Sequence, residues 1–159
     1  MSRLVLPESI EASIVTAARE TAPEECCGVL GGTFGEETSR VATAHPTRNV
    51  ADDPRRRYLI DPEEQLAVFE RLEDRGEDIV GFYHSHPQGL PSPSRTDAEA
   101  AAWPGKSYVI VSLEGEVAAL EGEVAALESE EEGGAIVRSW RWRGSADGGF
   151  ERESVVQPS

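Results

Sequence analysis

The stretch DIVGFYHSH, residues 78–86, is an apolar run that closes on two histidines one residue apart. A strand repeats its side-chain direction every two residues, so His84 and His86 project from one face. PQGLPSP (87–93) then carries the chain round in a tight, rigid loop, and TDAEAAAWPG (96–105) reads as a short helix stopped by Pro104. A strand that ends in polar chemistry and turns at once into a helix needs a sheet to lie in and helices to cover it. We therefore expect an α/β fold, a mixed sheet flanked by helices, with its chemistry at a strand end.

The rest of the chain keeps the same rhythm. ESIEASIVTAARE (8–20) carries Ile10, Ile14, Val15 and Ala18 at helical spacing, and EECCGVLGG (24–32) predicts a short buried strand that leaves through its glycines. SRVATAH (39–45) predicts a second strand, and 46–57 a polar loop ending in Arg55, Arg56 and Arg57. PEEQLAVFERLEDRG (62–76) is the clearest helix, with Pro62 at its start, Leu66, Phe69 and Leu72 along one face and Gly76 at its end. SYVIVSL (107–113) predicts an apolar strand, AIVRSWRWRG (135–144) a half-exposed one, and GFERESVV (149–156) the last.

One segment departs from this pattern. LEGEVAA is followed at once by LEGEVAA, a seven-residue duplication running on into LESEEEGG. Val117, Leu120, Val124 and Leu127 would form a single apolar seam on a helix, but two heptads are too short to stand alone in water. We read 113–134 as an acidic insertion within one domain spanning 1–159. Oligomerisation through that seam is the alternative, so the oligomeric state stays open.

Composition narrows the function classes. A net charge of -15 repels phosphates and argues against nucleic acid. No segment reaches the roughly 20 apolar residues of a membrane span, and the N-terminal residues lack the apolar core of a secretory leader. Cys26 and Cys27 are adjacent, which makes a mutual disulfide implausible and fits a reducing compartment. The expectation is a cytoplasmic protein. Lys106 is the sole lysine in an acid-rich chain, a composition expected of a salt-loving archaeon, where carboxylates hold water and salt screens their repulsion.

Two imidazoles on one strand face are a common start to a zinc site, and Asp97 is the nearest candidate for a third ligand. Ser94 with Asp97 also spells a helix capping box, which needs no metal. Taken together, His84-Ser85-His86-Pro87 and Ser94-x-x-Asp97 match the pattern H-x-H-x7-S-x2-D, and the chain resembles the JAMM (MPN+) metalloproteases. PEECCGVLGG, YLIDPEE, SYVIVSL and SWRW resemble further elements of that family.

The resemblance implies an MPN domain of cytidine-deaminase-like architecture and one Zn2+ per chain, held by His84, His86 and Asp97. It implies Glu25 as the general base, with Glu24 as the neighbouring alternative, and Ser94 as a donor to the oxyanion. It also implies a substrate class: ubiquitin-like modifier proteins joined through a C-terminal glycine to a lysine. Two rivals share the domain, a peptidase that processes the C-terminus of a sulfur-carrier protein and a non-catalytic scaffold. A zinc deaminase would show H-x-E followed by P-C-x-x-C, and this chain has neither. The arginine run 55–57 either steers an acidic modifier or relieves local charge, and His45 is expected to be structural or exposed.

Overall fold

The structure, a computed structural model, describes residues 2–113 and 134–158; the duplicated segment falls almost wholly outside the described residues. The chain builds β1 (Arg3–Val5), α1 (Glu8–Thr21), β2 (Cys27–Thr33), β3 (Thr38–Thr47), α2 (Pro62–Arg75), β4 (Asp78–His86), α3 (Arg95–Ala100), β5 (Ser107–Ser112), β6 (Ile136–Trp142) and β7 (Phe150–Val156). The strands lie in the order β1-β3-β2-β4-β5-β6-β7. β4 runs parallel to β5, and the three-residue β1 runs parallel to both β3 and β7. The remaining pairs are antiparallel, so the sheet is mixed as expected. Its closure through β1 was not legible in the sequence. So short a strand carries almost no periodic signal, yet it covers the two edges that β3 and β7 would otherwise leave unpaired.

The helices divide between the two faces of the sheet. Ile14, Val15 and Ala18 of α1 pack with Leu30, Val80, Val109, Val111 and Val137. Val68 and Leu72 of α2 pack with Val29, Phe82, Tyr108 and Trp142. Central strands are thus covered on both sides, which is why SYVIVSL reads as a continuous apolar run. Asp61 accepts a hydrogen bond from the Glu63 amide at the start of α2, and Gly76, at a φ of 70°, closes the helix in the left-handed conformation.

Three sequence expectations need correction. Leu66, placed on the apolar face of α2, is 61% exposed, and the buried positions are Val68 and Leu72. β6 is not half exposed: Arg138 and Arg141 are buried with its apolar residues, because the closed sheet leaves this strand no open face. The strand expected from residue 24 begins at Cys27, so Glu24 and Glu25 lie in the approach to β2.

A bulge sets the direction of the histidines. Leu30 pairs with Gly81 but Gly31 pairs with Ile79, leaving Val80 as an extra residue in β4. Ile79 packs on the α2 side and Val80 on the α1 side, and after the bulge Phe82 returns to the α2 side. His84 and His86 follow Phe82 by strand alternation, while Tyr83 and Ser85 turn the other way. Glycine is required on both flanks of this strand. A Cβ at Gly81 would stand 1.9 Å from the Ser107 carbonyl oxygen, and one at Gly28 would stand 2.3 Å from the Tyr83 ring.

Candidate metal centre

At the end of β4 the imidazoles of His84 and His86 face each other, with their Nε2 atoms 3.2 Å apart. Asp97 Oδ2 lies 3.2 Å from the first and 3.1 Å from the second. The three atoms form a nearly equilateral triangle, and all three residues are buried.

Local structure explains each placement. Asp97 is the third residue of α3, where its amide donates to Ser94 Oγ at 3.0 Å and its Oδ2 accepts from the Ser94 amide at 2.9 Å. The capping box and the ligand candidate are therefore the same carboxylate, and the two sequence readings do not exclude each other. His86 Nδ1 lies 2.8 Å from the Leu90 carbonyl. A carbonyl only accepts, so Nδ1 carries the proton and the neutral ring presents a bare Nε2 to the triangle. The 87–93 loop is pinned at two further points, by Ser112 Oγ donating to the Gly89 carbonyl and Trp140 Nε1 donating to the Pro91 carbonyl.

Tyr58 stacks on His84 with ring centroids 4.3 Å apart and planes 21° from parallel. This partner was not singled out from the sequence, because stacking leaves no periodic mark. Ser85, facing away from the triangle, has a comparable supporting role. Its hydroxyl accepts from the Cys26 amide at 2.8 Å, and its own amide donates to the Cys26 carbonyl at 3.1 Å. These bonds hold the approach to β2 against the histidine strand.

That approach presents Glu25. Its carboxylate and the ring nitrogens of His84 and His86 all lie within 4.8 Å of one another, and its Oε1 is buried without a hydrogen-bond partner. Glu24, by contrast, is exposed. Burial pushes the Glu25 carboxyl up to about 7, against the pull of His86 and with a further push from Asp97. Burial also lowers His84, which stays neutral. In His86 burial opposes the charged form, but the Asp97 carboxylate and the Leu90 carbonyl outweigh it and raise the pKa. Asp97 is likewise penalised by burial, yet its close contacts with the two imidazoles and the Ser94 amide hold its carboxyl well below the usual carboxylate range.

Metal fits this donor set. Two nitrogens and an oxygen at bonds of about 2.0–2.1 Å around a tetrahedral centre would be separated by about 3.3 Å, close to the triangle seen here. The orphaned Glu25 oxygen and the bare His86 Nε2 are the groups expected beside a bound cation and its water. A cavity of about 400 Å³ opens onto this cluster, lined by Glu25, His86, Ser94, Leu90 and two residues of the arginine run, Arg55 and Arg56.

The remaining candidates lie elsewhere. His45 is buried on β3, its Nε2 2.9 Å from Thr43 Oγ1 and its Nδ1 3.3 Å from Arg71, and burial with the Arg71 charge lowers its pKa. Cys26 and Cys27 are free, buried thiols that pack into the cores on opposite faces of the sheet. Among the described residues no helix is long and apolar enough to cross a membrane.

Comparison with known proteins agrees with the geometry. The desampylase of Haloferax volcanii is 48% identical over 122 residues, covering 74% of this chain and 86% of that protein. The CysO-cysteine peptidase of Mycobacterium tuberculosis is 38% identical over 109 residues, 69% of this chain and 73% of that protein. A solution structure of a protein from Desulfitobacterium hafniense superposes with a TM-score of 0.77 at 25% identity, covering 100% of this chain and 94% of that one. The model of the prokaryotic homologs of the JAB domain matches residues 7–122, and the chain belongs to that family.

Proposed function

We propose that this protein is a zinc-dependent isopeptidase that hydrolyses the bond between the C-terminal glycine of a ubiquitin-like modifier and a substrate lysine. The observation that carries this reading is the buried triangle of His84, His86 and Asp97 with the unpartnered Glu25 carboxylate beside it. The similarity to the Haloferax desampylase supports the substrate class.

In this reading His84, His86 and Asp97 hold one Zn2+ per chain, and the ion supplies Lewis acidity to a water and to the scissile carbonyl. The protein's own residues do the rest. Glu25, whose buried Oε1 lies unpartnered beside the two histidines, takes a proton from water and returns it to the departing lysine amine. Ser94 Oγ accepts from the Asp97 amide, which leaves its hydroxyl proton free to donate to the carbonyl oxygen as charge develops there. The whole chain, 1–159, is taken as one such domain, with 113–134 as an acidic insertion. The excess of acid and the buried free thiols support a salt-loving source and a cytoplasmic location.

The similarity to the CysO-cysteine peptidase favours a second reading, release of a C-terminal residue from a sulfur-carrier protein by the same groups. Incubation in molar salt with a lysine-linked modifier, with and without a zinc chelator, separates the two. Chelator-sensitive release of intact modifier and free lysine is expected. No release from a zinc-loaded protein would leave the carrier-protein reading.

A further inference from the structure

Three consecutive arginines stand at 55–57, and the structure treats them differently. Arg55 and Arg56 line the cavity that reaches Glu25, His86 and Ser94. They also line an adjoining cavity of about 200 Å³ walled by Pro23, Pro87 and Gln88. Arg55, Arg56 and Gln88 are common to both cavities, so the two arginines border the groove at the metal centre and the smaller cavity beside it. Arg57 lines neither, and its guanidinium stands 4.0 Å from Asp52.

The arginine loop is fastened to the proposed base. The Glu25 amide donates to the Pro54 carbonyl at 2.7 Å, one residue before Arg55. The Asn49 side-chain amide donates to the Glu25 carbonyl at 3.1 Å and to the Arg57 carbonyl at 3.0 Å. Its Oδ1 accepts from the amides of Ala51 and Leu59. Asn49 thus joins both ends of the loop to Glu25, and hydrogen bonds hold the backbone that carries the two arginines beside the reacting centre.

The cations themselves are available. Among the described residues Arg55 has no carboxylate partner, and Arg56 approaches Asp53 only at 3.9 Å with its side chain 84% exposed, a contact worth little in water. On a chain of net charge -15, two available guanidiniums beside a groove form a local site of opposite sign, suited to an anionic segment.

Building on the proposed isopeptidase activity, we infer that Arg55 and Arg56 are specificity residues that bind acidic side chains in the C-terminal tail of the modifier, upstream of the scissile glycine. The tail is the part common to every conjugate, whereas the lysine-bearing proteins differ. A fixed cationic site on the enzyme is therefore matched to the tail. Arg57 serves the loop and not the substrate.

The test uses fluorescent peptides ending in Gly-Gly that carry either Asp and Glu or Asn and Gln upstream, bound to the zinc-loaded protein and followed by anisotropy at reduced and at molar salt. The acidic peptide should bind more tightly, and added salt should narrow the difference. R55E together with R56E should weaken the acidic peptide about tenfold and remove the preference, while R57E retains it. Equal binding of both peptides, or an equal loss in R57E, would overturn the inference. Cleavage of lysine-linked conjugates of the same peptides is measured in parallel. Conjugates that stay intact while the acidic preference follows Arg55 and Arg56 would count against isopeptidase activity and leave the anionic site standing. Cleavage indifferent to acid upstream of the glycine but sensitive to acid on the lysine side would move the site to the other half of the substrate and overturn the assignment made here.

Discussion

Arg141 and Glu153 form an ion pair inside the barrel, Nε to Oε1 at 2.7 Å, with neither side chain exposed to solvent. Every remaining polar atom of the pair is used. Glu153 Oε2 accepts from the hydroxyls of Ser107 and Ser139, each at 2.6 Å. Arg141 donates to the carbonyls of Gly35, Glu36 and Gly105 and to Ser39 Oγ. The pair therefore ties β6 and β7 to β5 and to the β2–β3 connection.

Breaking such a pair from one side strands a buried charge, which costs more than the pair itself contributes. Glu153→Ala should lower the unfolding free energy by about 3–5 kcal/mol in denaturant titrations at constant salt. Replacing both residues with apolar ones of similar volume should cost less than this single change. A single variant as stable as the wild type would show that the buried guanidinium finds other compensation.

Asp97 serves α3 and the proposed metal with the same oxygen, and the two roles separate by substitution. Asp97→Asn keeps an acceptor for the Ser94 amide but loses the anionic ligand, so bound zinc should fall well below one per chain while the chelated protein melts close to wild type. Asp97→Ala loses the cap as well, with a further cost of about 1 kcal/mol. Elemental analysis beside thermal melting reads both effects. Stoichiometric zinc in the Asn variant would remove Asp97 from the ligand set.

Glu25 makes an opposite pair of demands. As a buried carboxyl raised to about 7 from an ordinary 4.5, it favours the fold while protonated. Its stabilising contribution is complete below the unfolded pKa and is lost as pH rises through about 7. In chelated protein, Glu25→Gln should therefore gain on the wild type as the pH is raised from 5 to 8. A gap that does not vary with pH would mean the carboxyl is not perturbed in the fold. In the zinc-loaded enzyme the same substitution should retain the metal and lower kcat by about 10²–10⁴, while Glu24→Gln remains active.

Much of the arrangement around the histidines could be read from neighbouring residues. The period of two that puts His84 and His86 on one face is local, as is the serine-to-aspartate spacing that caps α3. Amphipathic α1 and the doubly covered β5 were legible for the same reason. Leu66 was misplaced because an apolar residue at helical spacing does not say how far the helix face turns towards the sheet. β6 was misread because alternation of arginine with tryptophan looks like a wet face until an acid from β7 arrives to neutralise it.

Short-range geometry follows from the residues alone: which of them share a strand face, where the helices start and stop, and that the chain is too acidic to seek phosphate. Packing in three dimensions settles which of two adjacent glutamates is buried, that Tyr58 stacks on His84, and that Arg55 and Arg56 line the groove while Arg57 does not. These depend on contacts between segments remote in the chain, closed by hydrogen bonds such as those of Asn49 and Ser85. Periodicity records only what a residue does within its own element, so such contacts leave no trace in it.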